Sequence, residues 1–113
     1  MGYTPVILVE TSIFSREIDR LLSEDEYRAL QEALVRNPQA GAVIPGSGGC
    51  RKLRWGKGGR GKRGGIRVIY HPKCGRLLLL LAYDKRRVAN LSRAELRQLS
   101  ELVAREMENT GDG

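Results

Sequence analysis

The pattern of hydrophobic and polar positions in the first third of the chain predicts one short strand followed by two helices. The run VILVE, residues 6–10, contains β-branched residues and favours a strand. Apolar residues then recur at helical spacing, which predicts amphipathic helices over 12–22 and from 23 to about 37. The apolar stripes consist of Phe14, Ile18, Leu21 and Leu22 in the first helix, and of Tyr27, Leu30 and Leu34 in the second. Ser23 and Glu26 have the spacing of a capping box, and the short connection predicts an antiparallel helical hairpin.

From residue 50 onward the hydrophobic period changes from 3.6 to 2, which predicts three strands. In the first, Arg51, Leu53 and Trp55 alternate with Lys52 and Arg54; in the second, Ile66, Val68 and Tyr70 alternate with Arg67 and Ile69. Residues 77–83 are apolar on both faces, which suits a central strand, and a turn at 71–76 favours an antiparallel pair. A second capping box, Ser92 with Glu95, predicts a final helix, and its stripe is formed by Leu96, Leu99, Val103 and Met107.

The order of these elements predicts an α+β fold: a small, mainly antiparallel sheet with an N-terminal helical hairpin and a C-terminal helix, the helices lying against one sheet face. A chain of 113 residues suits a single domain over residues 1–113, with a frayed tail from about 108.

Basic residues are concentrated in the middle of the chain. No acidic residue lies between Glu32 and Asp84, whereas eleven of the 20 lysines and arginines do. The rest of the chain then holds nine basic and 13 acidic residues, a net charge of −4 against +11 for the centre. Such a field attracts a polyanion, and nucleic acid is the partner it favours.

Several classes of protein do not fit the composition. No apolar run approaches the roughly 20 residues of a membrane helix, and the N-terminus lacks a secretory signal, so we expect a cytoplasmic protein. Cys50 and Cys74 are too few and too isolated for a disulfide framework or a zinc site, and we expect both to be reduced.

The segment GKGGRGKR, residues 56–63, resembles a nucleotide-binding P-loop only superficially. Such a loop needs a hydroxyl residue after its lysine and a helix directly behind it. Here Arg63 follows Lys62, and a strand pattern follows both. We therefore predict a glycine-rich hairpin loop whose cations, Lys57, Arg60, Lys62 and Arg63, bind phosphates.

The candidate chemistry is phosphoryl transfer on RNA. Arg51, Lys52, Arg54 and Arg67 fall on neighbouring predicted strands, and Tyr83 and Lys85 fall where the last strand ends. Guanidinium groups hold phosphate but make poor bases. In RNA the 2′-OH supplies the nucleophile, while Lys52, Lys85 or Tyr83 would move protons. Trp55 is expected either to stack on a base or to join the core, and His71 to be an exposed turn residue.

A known family combines these features. The segments NPQAGAVIPGSGGCRKLRWGKGGRGKRGGIRVIY and LLLAYDKRRVANLSRAEL closely resemble the RelE/ParE superfamily of toxins from type II toxin-antitoxin modules, in its HigB-like branch. The resemblance extends from about Phe14 to the last helix. It implies a RelE-like fold and a ribosome-dependent mRNA endonuclease, or mRNA interferase, that needs no metal or organic cofactor. It also implies a cognate antitoxin, often a helix-turn-helix protein, through which alone the toxin reaches operator DNA.

The resemblance assigns roles to individual residues. Arg51, Lys52 and Arg54 match the family's basic strand, Arg67 matches the arginine of its GG.R.IY motif, and Tyr83 and Lys85 match the end of its last strand. The RNA-binding residues expected around them are Lys57, Arg60, Lys62, Arg63, Trp55 and Arg86. The chain departs from the family pattern at Cys50, usually apolar, at His71, often aromatic, and at Arg86, where asparagine can occur. The alternatives are a ParE-like inhibitor of DNA gyrase and a non-catalytic RNA- or DNA-binding module.

Overall fold

The computed structural model describes residues 6–56, 65–73, 75–86 and 92–110, the last five of these by backbone only. Its elements are β1 (Ile7–Glu10), α1 (Ser12–Leu21), α2 (Glu24–Arg36), β2 (Ala42–Val43), β3 (Arg51–Trp55), β4 (Ile66–Lys73), β5 (Arg76–Asp84) and α3 (Arg93–Thr110). This is the predicted order with one addition, β2. Both residues of β2 are exposed, so no burial alternation marks it in the sequence. The helical backbone of α3 continues to Thr110, into the segment predicted to be frayed.

The five strands form one sheet in the order β1-β5-β4-β3-β2. β1 runs parallel to β5 and every other pair is antiparallel, so the predicted mainly antiparallel sheet is confirmed. β5 has neighbours on both sides, as its apolar faces predict. The turn before it is shorter than predicted, because Lys73 already pairs with Arg76. Gly75 closes this turn with a φ of 76°, a conformation that glycine adopts without steric cost.

The helices cover both faces of the sheet, so the prediction that they lie against one face is wrong. On one face, called here the hairpin face, Phe14, Ile18 and Leu30 of α1 and α2 pack with Val68 and Tyr70. On the other, the α3 face, Leu99 and Val103 of α3 pack in a second buried cluster with strand residues. The reason lies in β5, whose residues Leu77–Leu80 are all buried. A strand that is apolar on both sides requires a covering layer on each.

Side-chain caps fix the helix starts as the sequence predicts. The Ser23–Glu26 capping box is formed, with Ser23 N donating to Glu26 Oε1 at 2.8 Å and Glu26 N donating to Ser23 Oγ at 3.1 Å. The Ser92–Glu95 box has the same two distances at the start of α3. Thr11 caps α1 and also donates its hydroxyl hydrogen to the carbonyl of Leu80 at 2.9 Å, which ties α1 to β5.

Two buried polar groups hold the chain between α2 and β3. The Tyr70 hydroxyl donates to Pro38 O and accepts from Gly41 N, both at 2.8 Å. Farther along, Ser47 Oγ donates to Ile44 O at 2.6 Å and accepts from Cys50 N at 3.0 Å. Fully buried polar groups are normally satisfied in this way, and here they fix the start of β3. Among the helices described, none is long and apolar enough to cross a bilayer.

Candidate functional site

Three predicted site residues stand in one row across the sheet. In the strand register Arg54 pairs with Arg67, and Arg67 pairs with Tyr83. Ile66 and Val68 pack on the hairpin face, so Arg67 between them faces α3. Strands are spaced by about 4.8 Å, which puts the two ends of this row about 10 Å apart. We call Arg54, Arg67 and Tyr83 the cross-strand row.

Burial increases along the cross-strand row. Arg54 is exposed and, within the described ranges, takes part in no ion pair with an acidic residue. Arg67 is half-buried, and its Nη1 donates to the carbonyl of Ile66 at 3.2 Å. Tyr83 is only 4% exposed. One end of the row is therefore open to solvent and the other lies in the cluster that includes Leu99 and Val103 of α3.

The hydroxyl of Tyr83 is buried without a hydrogen-bond partner among the described residues. Burial raises the pKa of Tyr83, the nearby positive charge of Arg67 opposes that rise, and the carboxylate of Glu95 adds to it. The phenol is therefore neutral at neutral pH and carries a hydrogen for which no acceptor is present among those residues. A group of this kind is suited to donating a hydrogen bond to an incoming anion.

Lys52 extends the positive charge on the same face. It lies two residues before Arg54 in β3, pairs with Ile69, and is half-buried. Because side chains in a strand alternate, Lys52 and Arg54 share the α3 face, as the sequence pattern predicts. A phosphate near Arg54 would therefore also lie near the side-chain nitrogen of Lys52.

Arg51 and Trp55 are not brought to the cross-strand row. Both alternate with Lys52 and Arg54 and so lie on the hairpin face. Arg51 Nη1 donates to Gln39 O at 3.2 Å and to Gly41 O at 2.7 Å, which gives this arginine a structural partner. Trp55 is half-buried against the hairpin-face cluster, which agrees with the core alternative of its prediction. A catalytic role for Arg51 is not favoured by this separation.

The remaining predicted residues lie beyond the strand ends. Lys85 is exposed and its backbone N donates to Gly65 O at 2.8 Å, beside the last strand. Arg86 is also exposed, and its Nε lies 3.3 Å from Asp84 Oδ1. That pair partly neutralises Arg86, although such an exposed ion pair contributes little to stability. The loop cations Lys57, Arg60, Lys62 and Arg63 lie outside the described residues.

His71 is not the exposed turn residue that the sequence predicts. It lies within β4, only 7% exposed, with Nε2 at 3.1 Å from Gly48 O. That carbonyl accepts, so Nε2 carries the hydrogen, while Nδ1 is buried without a partner in the described part of the chain. The strand continues through the predicted turn at 71–76, because Pro72 stays in β4 opposite Leu77.

Glu95 belongs to the site although the sequence predicts it only as a helix cap. It is exposed at the start of α3 and close enough to Tyr83 to affect the pKa of the phenol. The sequence feature from which its place in the site could have been predicted is its position at the start of α3, the element that follows the strand of Tyr83. In the described ranges no group of histidine, cysteine and carboxylate side chains is arranged to hold a metal ion. Cys50 is buried as a free thiol.

No known protein-family model matches the chain. The α+β fold is compatible with many activities, so the function has to be argued from the site itself.

Proposed function

We propose that this protein is the toxin of a type II toxin-antitoxin module, an mRNA interferase of the RelE/ParE kind that cuts mRNA on the ribosome. The observation that carries the proposal is the cross-strand row, in which two guanidinium groups and a neutral phenol share one face of the sheet. The chemistry of these groups fits the phosphate of RNA, and the excess of central positive charge fits a polyanionic partner.

The reaction needs no group beyond the RNA and protein side chains. The 2′ oxygen attacks the adjacent phosphorus, the bond to the 5′ oxygen breaks, and the products are a 2′,3′-cyclic phosphate and a free 5′-OH. Negative charge accumulates on the non-bridging oxygens in the transition state. Arg54 and Arg67 would stabilise that charge, because guanidinium groups form strong charge-assisted hydrogen bonds to phosphate.

The proton transfers would fall to lysines, while Tyr83 would act as a hydrogen-bond donor. Because its pKa is raised, Tyr83 keeps its proton at neutral pH and would donate a hydrogen bond rather than act as the general base. The base would be Lys52, which shares the α3 face with Arg54, or Lys85 beyond β5. The neutral amine of one lysine would take the 2′-OH proton, and the ammonium group of the other would give a proton to the leaving 5′ oxygen.

The proposal includes the partners that the resemblance implies. A cognate antitoxin, expected to carry a helix-turn-helix domain, would hold the toxin inactive in the cytoplasm and connect it to operator DNA. Ribosome and mRNA would be the productive partners, with the loop cations of residues 57–63 contacting RNA.

The test is expression without antitoxin, followed by mapping of mRNA 5′ ends. We expect the wild type to arrest growth and to produce new 5′ ends within codons. Arg67→Ala should lower cleavage by about 10²-fold or more, the usual effect of removing one transition-state donor. Arg28→Ala is the matched control, because Arg28 is exposed on α2, away from the row. Equal cleavage by Arg67→Ala and the control would remove Arg67 from the mechanism.

The alternatives give different outcomes in the same experiment. A gyrase inhibitor would arrest growth through changes in DNA supercoiling, without new mRNA ends within codons. A non-catalytic binding module would yield no cleavage at all. Purified protein should cut free RNA poorly and ribosome-bound mRNA well, and equal rates would contradict ribosome dependence.

A further inference from the structure

We propose that α3 gates the cross-strand row, so that Tyr83 reaches RNA only after α3 moves away from the sheet. This inference rests on the proposed function, because it concerns access of RNA to the same residues. It goes beyond that function by making the closed position of α3 an inhibited state of the free protein.

The closed state follows from the position of Tyr83. A side chain that is 4% exposed and has a buried hydroxyl cannot place that hydroxyl against a phosphate of a polymeric strand. Tyr83 shares its buried cluster with Leu99 and Val103, both from α3. Arg54, at the other end of the row, is already exposed. RNA can therefore meet Arg54 first, and contact with Tyr83 requires α3 to leave.

The attachment of α3 is local enough to open without unfolding the sheet. Within residues 93–105 only Leu99 and Val103 are buried. The capping box at the N-terminus of α3 joins Ser92 to Glu95 and makes no bond to the sheet. A groove of about 250 Å³ lies beside the helix, lined by Ile13, Leu80, Leu81, Glu95, Gln98, Leu99 and Leu102. The other cluster, with α1 and α2, lies on the opposite face of the sheet and contains no residue of α3.

A gate of this kind makes the observed activity proportional to the fraction of molecules that are open. Free RNA then reacts slowly because few molecules expose Tyr83, whereas binding on the ribosome supplies interaction energy to the open state. A substitution that weakens the contact of α3 with the sheet should therefore raise both the exposure of Tyr83 and the rate of cleavage.

The experiment compares Val103→Ala with Val35→Ala, an equal substitution at an exposed position of α2. Nitration by tetranitromethane, followed by peptide mass spectrometry, measures the accessibility of each tyrosine. Tyr70 is an internal control, because it is fully buried on the hairpin face, in the cluster that does not include α3. Single-turnover cleavage of mRNA on programmed ribosomes gives the rate for each variant.

We expect Val103→Ala to raise nitration of Tyr83 by about tenfold, since two buried methyl groups are lost from the closed state only, with Tyr70 still protected. Cleavage should rise in the same direction, and Val35→Ala should behave as the wild type. If Val103→Ala also exposes Tyr70, the variant has unfolded. The comparison then uses Leu102→Ala, at a half-buried position, which should show a smaller increase in nitration of Tyr83 and in cleavage.

Two results would overturn the gate. Exposure of Tyr83 with unchanged or lower cleavage would show that α3 supports the site instead of covering it, while the proposed function would stand. Absence of cleavage by the wild type on programmed ribosomes would reject the proposed function and the gate with it.

Discussion

Replacement of Tyr83 by phenylalanine should make the protein more stable and less active. The substitution removes one hydroxyl and keeps the ring that packs in the α3-face cluster. That hydroxyl is buried without a partner among the described residues, and such a group costs about 1–3 kcal/mol relative to its hydrated state. We therefore expect Tyr83→Phe to raise the free energy of unfolding by about 1 kcal/mol.

This change in stability corresponds to a measurable shift of the melting temperature. Unfolding entropies are about 2.1 cal/mol/K per residue, so a chain of 113 residues has an unfolding entropy of about 240 cal/mol/K. An increase of about 1 kcal/mol then raises Tm by about 4 °C. Cleavage should fall by about 10²-fold, because a donor to the developing phosphate charge is lost.

The assays are thermal unfolding by circular dichroism and single-turnover cleavage on programmed ribosomes. Tyr70→Phe is the matched control: the Tyr70 hydroxyl donates to Pro38 O and accepts from Gly41 N, so its loss should lower Tm. A fall in Tm for Tyr83→Phe as large as that for Tyr70→Phe would show that the Tyr83 hydroxyl has a partner. A rise in Tm with unchanged cleavage would make Tyr83 a core residue and nothing more.

Three further predictions concern stability. Arg54→Glu should raise the urea midpoint, because the like-charge pair of Arg54 with Arg67 becomes an opposite-charge pair worth up to about 1 kcal/mol. The same substitution should abolish cleavage. A lower urea midpoint would contradict the strand register. Gly49→Ala should lower the free energy of unfolding by about 1–3 kcal/mol, because Gly49 has a φ of 101° and an added Cβ would lie 3.0 Å from His71 Nε2. Gly46 has a φ of 79° and open space around it, so Gly46→Ala should lower the free energy of unfolding less in the same denaturation assay. Burial raises the pKa of Tyr70 and of Tyr83 above the unfolded value of about 10. The stabilisation that comes from keeping these phenols neutral is therefore complete below about pH 10, and it is lost as pH rises through the folded pKa. Urea midpoints that stay constant from pH 8 to pH 11 would contradict the last of these.

The helices and main strands were predictable because each carries a strong local signal. Phe14 and Ile18 repeat at the spacing of one helix face, and both are buried. The capping residues Ser23 and Ser92 mark helix starts by chemistry that operates within four residues, so tertiary contacts are not needed to recognise them. Alternation in β3 and β4 likewise identified the faces of Arg54 and Arg67.

The parts that failed depend on contacts between residues distant in sequence. The face of the sheet that α3 covers depends on the cluster that α3 forms with β5. No local pattern within α3 predicts that face. The burial of His71 depends on the carbonyl of Gly48, 23 residues earlier in the chain. The exposed pair that forms β2 has no hydrophobic period from which to predict a strand. Arg51 donates to the carbonyls of Gln39 and Gly41, which lie in the irregular segment between α2 and β2.

The pairing of Arg54 with Arg67 is the strongest stability-based argument that this face binds an anion. Like charges directly opposite on neighbouring strands destabilise a sheet, and an acidic or neutral residue at either position would remove the repulsion. A local choice that opposes stability is typical of a functional site. Bound phosphate would turn the repulsion into two charge-assisted hydrogen bonds. The stability gained by Arg54→Glu and the activity lost should therefore share one cause, the replacement of a guanidinium whose proposed role is to bind a phosphate of RNA.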